Sequence, residues 1–175
     1  MPVKTIAAGR IMQTAFVTSD IERSIADFAR DYGVAGWGVI DKLDAVSVFY
    51  RGKPATVNVR AAVAFQGDMM WEFIQPLDDV PSVYRAGDGR LREGFHHIGI
   101  IVDDMDAQVE RYRADGCEVM MEITIASGGR GAYLQRPDGQ TGMIELLEAS
   151  PAIDGFLDIV ASVEKAGSRA IITHW

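Results

Sequence analysis

The chain has 175 residues, 48% of them apolar and 24% charged, which fits one domain or two small fused modules and leaves no room for separate cofactor and substrate domains. Lys plus Arg total 17 against 25 Asp plus Glu, a net charge of −8, so the clustered basic side chains that nucleic acid or an anionic membrane requires are missing. The lone Cys117 can form neither an internal disulfide nor a thiolate zinc site, no aliphatic run approaches the ~20 residues of a membrane span, and the first ten residues lack a signal-peptide core, so the expected compartment is the cytoplasm.

In chain order, Gln13-Thr-Ala-Phe-Val17 reads as an apolar strand running into an acidic turn at Asp20. A helix follows, with Ile21, Ile25 and Phe28 at i, i+4 and i+7, capping-box spacing between Ser19 and Glu22, and Gly33 as its stop. Strand-like segments come next at Trp37–Ile40 and Val57–Phe65, and Trp71–Pro76 closes the series with one early glutamate, Glu72. Residues Leu77–Gly94, rich in Asp, Gly, Pro and Arg, read as a linker. Then the series repeats. His97-Ile-Gly-Ile-Ile-Val102 leads to Asp104, Met105, Val109 and Tyr112 form a helical stripe ending near Gly116, and Glu118–Ile123, Gly131–Gln135 and Ile144–Glu148 are strands, the last carrying Glu145. A final helix starts at Pro151, presents Ile153, Phe156, Leu157, Val160 and Val163 on one face, and stops at Gly167.

The repeat is quantitative: Gln13 stands seven residues before Asp20, as His97 does before Asp104. Gln13 and Glu72 are 59 apart whereas His97 and Glu145 are 48 apart, which points to an insertion around Asp41–Pro54. The expected fold is therefore α+β: two tandem βαβββ modules (10–77 and 96–149) joined by a linker (78–95), forming a curved, eight-stranded half-open barrel, plus a C-terminal helix (150–168).

Alternation along the strands assigns faces. Gln13 shares a face with Ala15 and Val17, opposite Met12, Thr14 and Phe16; His97 shares one with Gly99 and Ile101, opposite His96, which reads as structural, and His174 reads as tail. Glu72 and Glu145 are lone carboxylates on apolar strands, costly to bury without a cation or donor. If the two copies face one another, Gln13, Glu72, His97 and Glu145 converge as a mixed O/N set suited to one divalent ion (Zn, Ni, Co, Mn or Fe) rather than to a structural zinc. Trp37, Tyr50, Arg130 and Tyr133 are the candidate substrate-binding side chains, taken from the aromatic positions and the glycine-rich Ser127–Gly131.

Gly94-Phe-His-His-Ile-Gly-Ile-Ile-Val-Asp-Asp104, within the doubled β-α-β-β-β order, resembles the vicinal oxygen chelate superfamily of glyoxalases, epimerases, extradiol dioxygenases and bleomycin-resistance proteins, over roughly residues 10–149. The resemblance implies metal ligands at Gln13, Glu72, His97 and Glu145, similar to those of zinc-type glyoxalase I and close to those of methylmalonyl-CoA epimerase. Where glyoxalase I holds glutathione with an arginine and an asparagine, this chain has Val17 and Pro76, and where extradiol dioxygenases have a second histidine it has Gln13; both activities are disfavoured. The implied activity is that of an isomerase, epimerase or lyase working through an enolate on a small oxygen-chelating substrate, a 2-oxo or hydroxy acid or an acyl thioester, with Glu145 as base and Glu72 as its partner. The rival expectation is a non-catalytic binding or resistance protein on the same fold. A homodimer is expected in either case.

Overall fold

The structure, a computed structural model, describes residues 9–139 and 142–173, so His174 lies outside the described residues. In chain order the elements are β1 (Ile11–Val17), α1 (Ile21–Tyr32), β2 (Gly38–Ile40), β3 (Ala45–Tyr50), β4 (Lys53–Pro54), β5 (Val59–Gln66), β6 (Met69–Pro76), β7 (Gly94–Val102), α2 (Met105–Ala114), β8 (Glu118–Ile125), β9 (Arg130–Gln135), β10 (Met143–Glu148), α3 (Pro151–Ala166) and β11 (Ala170–Ile171). All strands join one mixed sheet in the order β11-β2-β5-β6-β1-β7-β10-β9-β8-β3-β4. β6 runs parallel to β1 and β10 parallel to β7, while β1 and β7 meet antiparallel at the centre.

Among the described residues the sheet is open and eleven-stranded rather than eight-stranded. The additional strands have local causes. The inserted stretch forms the β3–β4 hairpin, and β3 crosses to pair with β8 at the far edge of the sheet. At the opposite edge β11 pairs with β2. Each outermost strand is only two residues long, which leaves little unpaired backbone for another chain to add to.

Helix ends follow the sequence with one correction. The capping-box reading of Ser19 and Glu22 gives way to Asp20, whose carboxylate accepts from the Arg23 N–H. An ionised Asp is a strong cap and sits one residue closer to the first turn. Glu22 is instead freed to pair with Arg60 and Arg169, which hold its carboxyl down at about 2. Asp104 and Ser150 cap α2 and α3, Pro151 opens α3, and Gly33 and Gly167 end their helices at φ 70° and 59°, where a side chain would be strained.

α1 and α2 cover one face of the sheet, α1 over Trp37, Val39, Ala62, Ala64 and Phe73, and α2 over Ala132, Leu134, Ile144 and Leu146. α3 lies on the other face, its Ile153, Phe156, Leu157 and Val160 against Met12, Ala61, Val63, Met70 and Ile101. That same face carries a cavity lined by both β5 and β8. These strands stand six places apart in the sheet, about 29 Å if it were flat at ~4.8 Å per strand, so the sheet is strongly curved around the cavity. The segment between β6 and β7 is more than a connector: Val83 and Tyr84 are buried in the inner core. Cys117 is buried, and no helix among the described residues is long and apolar enough to cross a membrane.

Candidate metal centre

Four adjacent strands, β6, β1, β7 and β10, bring together the four candidate ligands, and the register explains how. One cross-strand row reads Glu72, Ala15, His97 and the next reads Gln13, Gly99, Glu145. In each row the middle residue is small and the flanking pair is polar. The space is needed: a Cβ on Gly99 would lie 2.6 Å from Gln13 Oε1. Glu72, His97 and Glu145 each present a donor atom within 4.8 Å of the others.

The β1–β7 pairing is irregular at two places, and both irregularities matter. Each strand carries one extra residue immediately before its site residue, Met12 before Gln13 on β1 and His96 before His97 on β7. Such bulges break the two-residue period and re-aim side chains. Strict alternation placed Met12 and His96 on the opposite face; instead Met12 packs under α3, and His96 Nδ1 lies 2.9 Å from His97 Nδ1.

This histidine pair has a defined hydrogen-bond direction. His96 Nε2 is 2.9 Å from the Val83 carbonyl, which only accepts, so His96 Nε2 carries the proton. Burial, with the neighbouring His97 and Arg92 adding to it, pushes His96 down to about 3, so the ring is neutral and its Nδ1 is a bare acceptor. His97 Nδ1–H therefore donates to it, and in neutral His97 the lone pair is on Nε2. That nitrogen points at the carboxylates, 3.0 Å from Glu145 Oε2 and 3.5 Å from Glu72 Oε2, yet neither approach is aligned as a hydrogen bond.

The donor set can be tested by what it leaves unsatisfied. Gln13 Nε2 donates to Glu72 Oε2 at 2.5 Å, and its Oε1 has no hydrogen-bond partner. Among the described residues, buried Gln13 Oε1 and His97 Nε2 are thus orphaned lone pairs beside two carboxylates. Burial, and then the Glu145 charge, push the Glu72 carboxyl well above its ordinary range against the pull of Gln13. A divalent cation would satisfy the lone pairs and relieve the repulsion at once, so the residues fit such an ion.

The cavity beside this cluster is lined by Leu43, Val59, Ile74, Ile123, Ile125 and Leu147 among others, with Tyr84, Tyr133 and Arg130 also on its wall. Tyr133 on β9 is the cross-strand partner of Glu145, and its hydroxyl lies 3.3 Å from that of Tyr84. Burial raises both phenols, keeping them protonated donors. The other candidate binding residues fall elsewhere. Trp37 packs beneath α1 on the convex face, its Nε1–H donating to Val34 O, because alternation along β2 and β5 sends it away from the cavity. Tyr50 borders the inner core without lining the cavity, since β3 has been carried to the edge of the sheet. Sequence reasoning missed Tyr84, hidden in an aperiodic segment, and His96, whose only signal was the doubled histidine.

Residues 12–134 match the family described as the Glyoxalase/Bleomycin resistance protein/Dioxygenase superfamily. No curated protein matches the chain. Similar solved structures include methylmalonyl-CoA epimerase from Mycobacterium tuberculosis (TM-score 0.57, 18% identity, covering 87% of this chain and 97% of that one). A hypothetical protein from Bacillus halodurans C-125 gives a TM-score of 0.56 at 16% identity over 81% and 94% of the two chains. A Streptomyces coelicolor methylmalonyl-CoA epimerase variant in complex with 2-nitronate-propionyl-CoA gives 0.52 at 18% identity over 83% and 98%. At these identities the likeness is one of fold.

Proposed function

Since the chain belongs to the glyoxalase/bleomycin resistance protein/dioxygenase superfamily, we propose that it is a metal-dependent isomerase, epimerase or lyase acting through an enolate on a small oxygen-chelating substrate. The observation that carries this reading is the pair of orphaned buried lone pairs, Gln13 Oε1 and His97 Nε2, converging with Glu72 and Glu145. Gln13, Glu72, His97 and Glu145 would hold one divalent ion, its identity among Zn, Ni, Co, Mn and Fe left open by a mixed O/N set. When bound, the ion supplies a Lewis acid for two adjacent substrate oxygens.

The protein's own residues do the rest. Glu145 lies at the cavity wall and takes the proton from the carbon beside the carbonyl: the C–H bond breaks, an O–H bond forms on the carboxylate, and the electron pair moves onto the carbonyl oxygen. Tyr133 flanks Glu145 from the neighbouring strand, and Gln13 holds Glu72 on the other side of His97, as the partner that returns a proton. The inner face built around α3 and the apolar wall excludes water from this exchange.

The same reading takes 10–77 and 96–149 as tandem βαβββ modules around the linker 78–95, with 150–168 as an added helix; the orders β2-β5-β6-β1 and β7-β10-β9-β8 on the two sides of the central pair support it. It also includes a homodimer and a cytoplasmic setting. Elemental analysis of protein purified without chelator is expected to find one divalent ion per chain, and substrate turned over in heavy water is expected to gain deuterium next to its carbonyl. Protein that retains no ion on reconstitution defeats the proposal. The rival reading, a binding or resistance protein, draws support from the largely apolar wall; it predicts ligand binding without deuterium exchange and tolerance of Glu145→Gln.

A further inference from the structure

We infer that the site takes a 2-oxo or 2-hydroxy acid with a short, uncharged, apolar tail, and that it rejects both a second carboxylate and a coenzyme A thioester. This rests on the metal-centre reading above and narrows what that centre binds. Next to Glu72 and Glu145 the cavity is walled by Leu43, Val59, Ile74, Ile123, Ile125 and Leu147. It measures about 50 Å³, and at ~10–15 Å³ per water-sized group that is room for roughly three to five such groups, the size of a small alkyl tail.

The polar groups on the wall are already engaged. The Tyr84 and Tyr133 hydroxyls face each other at 3.3 Å. Arg130 is the one cation among the described lining residues, and its guanidinium is held by Glu148 and Asp106 at 3.0–3.1 Å. A second substrate carboxylate would therefore be desolvated without a partner, beside two carboxylates already present. A coenzyme A thioester is many times larger than this cavity, so its phosphates would have to lie outside it, against a chain of net charge −8.

The test is isothermal titration calorimetry of protein loaded with Co(II), with cobalt content measured on the same sample. The probes are 3-methyl-2-oxobutanoate, 2-oxoglutarate and methylmalonyl-CoA. Cobalt is expected at one per chain, and the branched acid is expected to bind at least about 30-fold tighter than either other probe, since a mispaired buried charge outweighs a methylene. A smaller preference, or no binding of the branched acid by cobalt-loaded protein, overturns the inference and leaves the metal centre standing. Protein that takes up no cobalt overturns the metal-centre reading and the inference together.

Discussion

β1 and β7 lie side by side at the centre of the sheet, and each delivers its site residue one position after a bulge. In β1 the extra residue is Met12, fully buried and packed under α3, and Gln13 is oriented from across the sheet by Glu72. In β7 the extra residue is His96, which bonds the back of the His97 ring and is itself anchored on Val83. The same backbone device thus serves packing on one strand and orientation of the His97 ring on the other. The difference follows from the donors. An amide has one oxygen, and a single hydrogen bond from its nitrogen fixes where that oxygen points. An imidazole can place its lone pair on either nitrogen, so a useful His97 needs a second group to select the tautomer.

Removing the ligand on the better-oriented strand is expected to do the most. His97→Ala should abolish divalent-ion retention, read by elemental analysis, while far-UV circular dichroism stays native; Gln13→Ala should weaken retention by only about tenfold, in keeping with the poorer donor. Equal losses would erase the contrast between the strands. A finer change is His96→Leu, which gives β7 the apolar bulge of β1. Metal affinity in competition with a chelator should fall about 10- to 100-fold, as for loss of other groups that orient a ligand, and His96→Asn, which keeps an acceptor near Nδ1, should recover part of it. Unchanged affinity in the leucine variant would reduce His96 to core packing.

The effect on stability concerns the gap between the rows. A Cβ at Gly99 would stand 2.6 Å from Gln13 Oε1 and 2.8 Å from Gln13 Cβ. Gly99→Ala should cost about 2 kcal/mol by denaturant unfolding, because the amide end can swing aside but the Gln13 Cβ, fixed to its backbone, cannot. Adding Gln13→Ala to the same chain should remove the part of that cost due to the amide and leave the part due to the Cβ contact, and a fully additive pair would mean the amide does not compete for this space.

Much of this arrangement is legible in the residues. The seven-residue spacing of Gln13 from Asp20 and of His97 from Asp104 marks equivalent strand-turn-helix units, and the structure begins both helices one residue after those aspartates. Alternation puts Glu72 inward between the outward Trp71 and Phe73, as found. Alternation fails at Met12 and His96, because a bulge is a property of two strands pairing out of step and leaves no trace in either strand alone. Trp37 misleads for a related reason: a large aromatic next to a short strand is equally at home on either face, and here α1 supplies the better apolar contact.

By itself the sequence determined which residues are polar on otherwise apolar strands, where helices start and stop, and that something is inserted around Asp41–Pro54. These are local matters of period, capping and side-chain chemistry. Only the tertiary structure decided that the β3–β4 hairpin forms the far edge of the sheet and that α3 fills the concave face beside the site. It alone set Ala15 and Gly99 between the paired candidate ligands and turned His96 toward His97. Each of these depends on strand register and sheet curvature, and both arise from pairing between segments tens of residues apart.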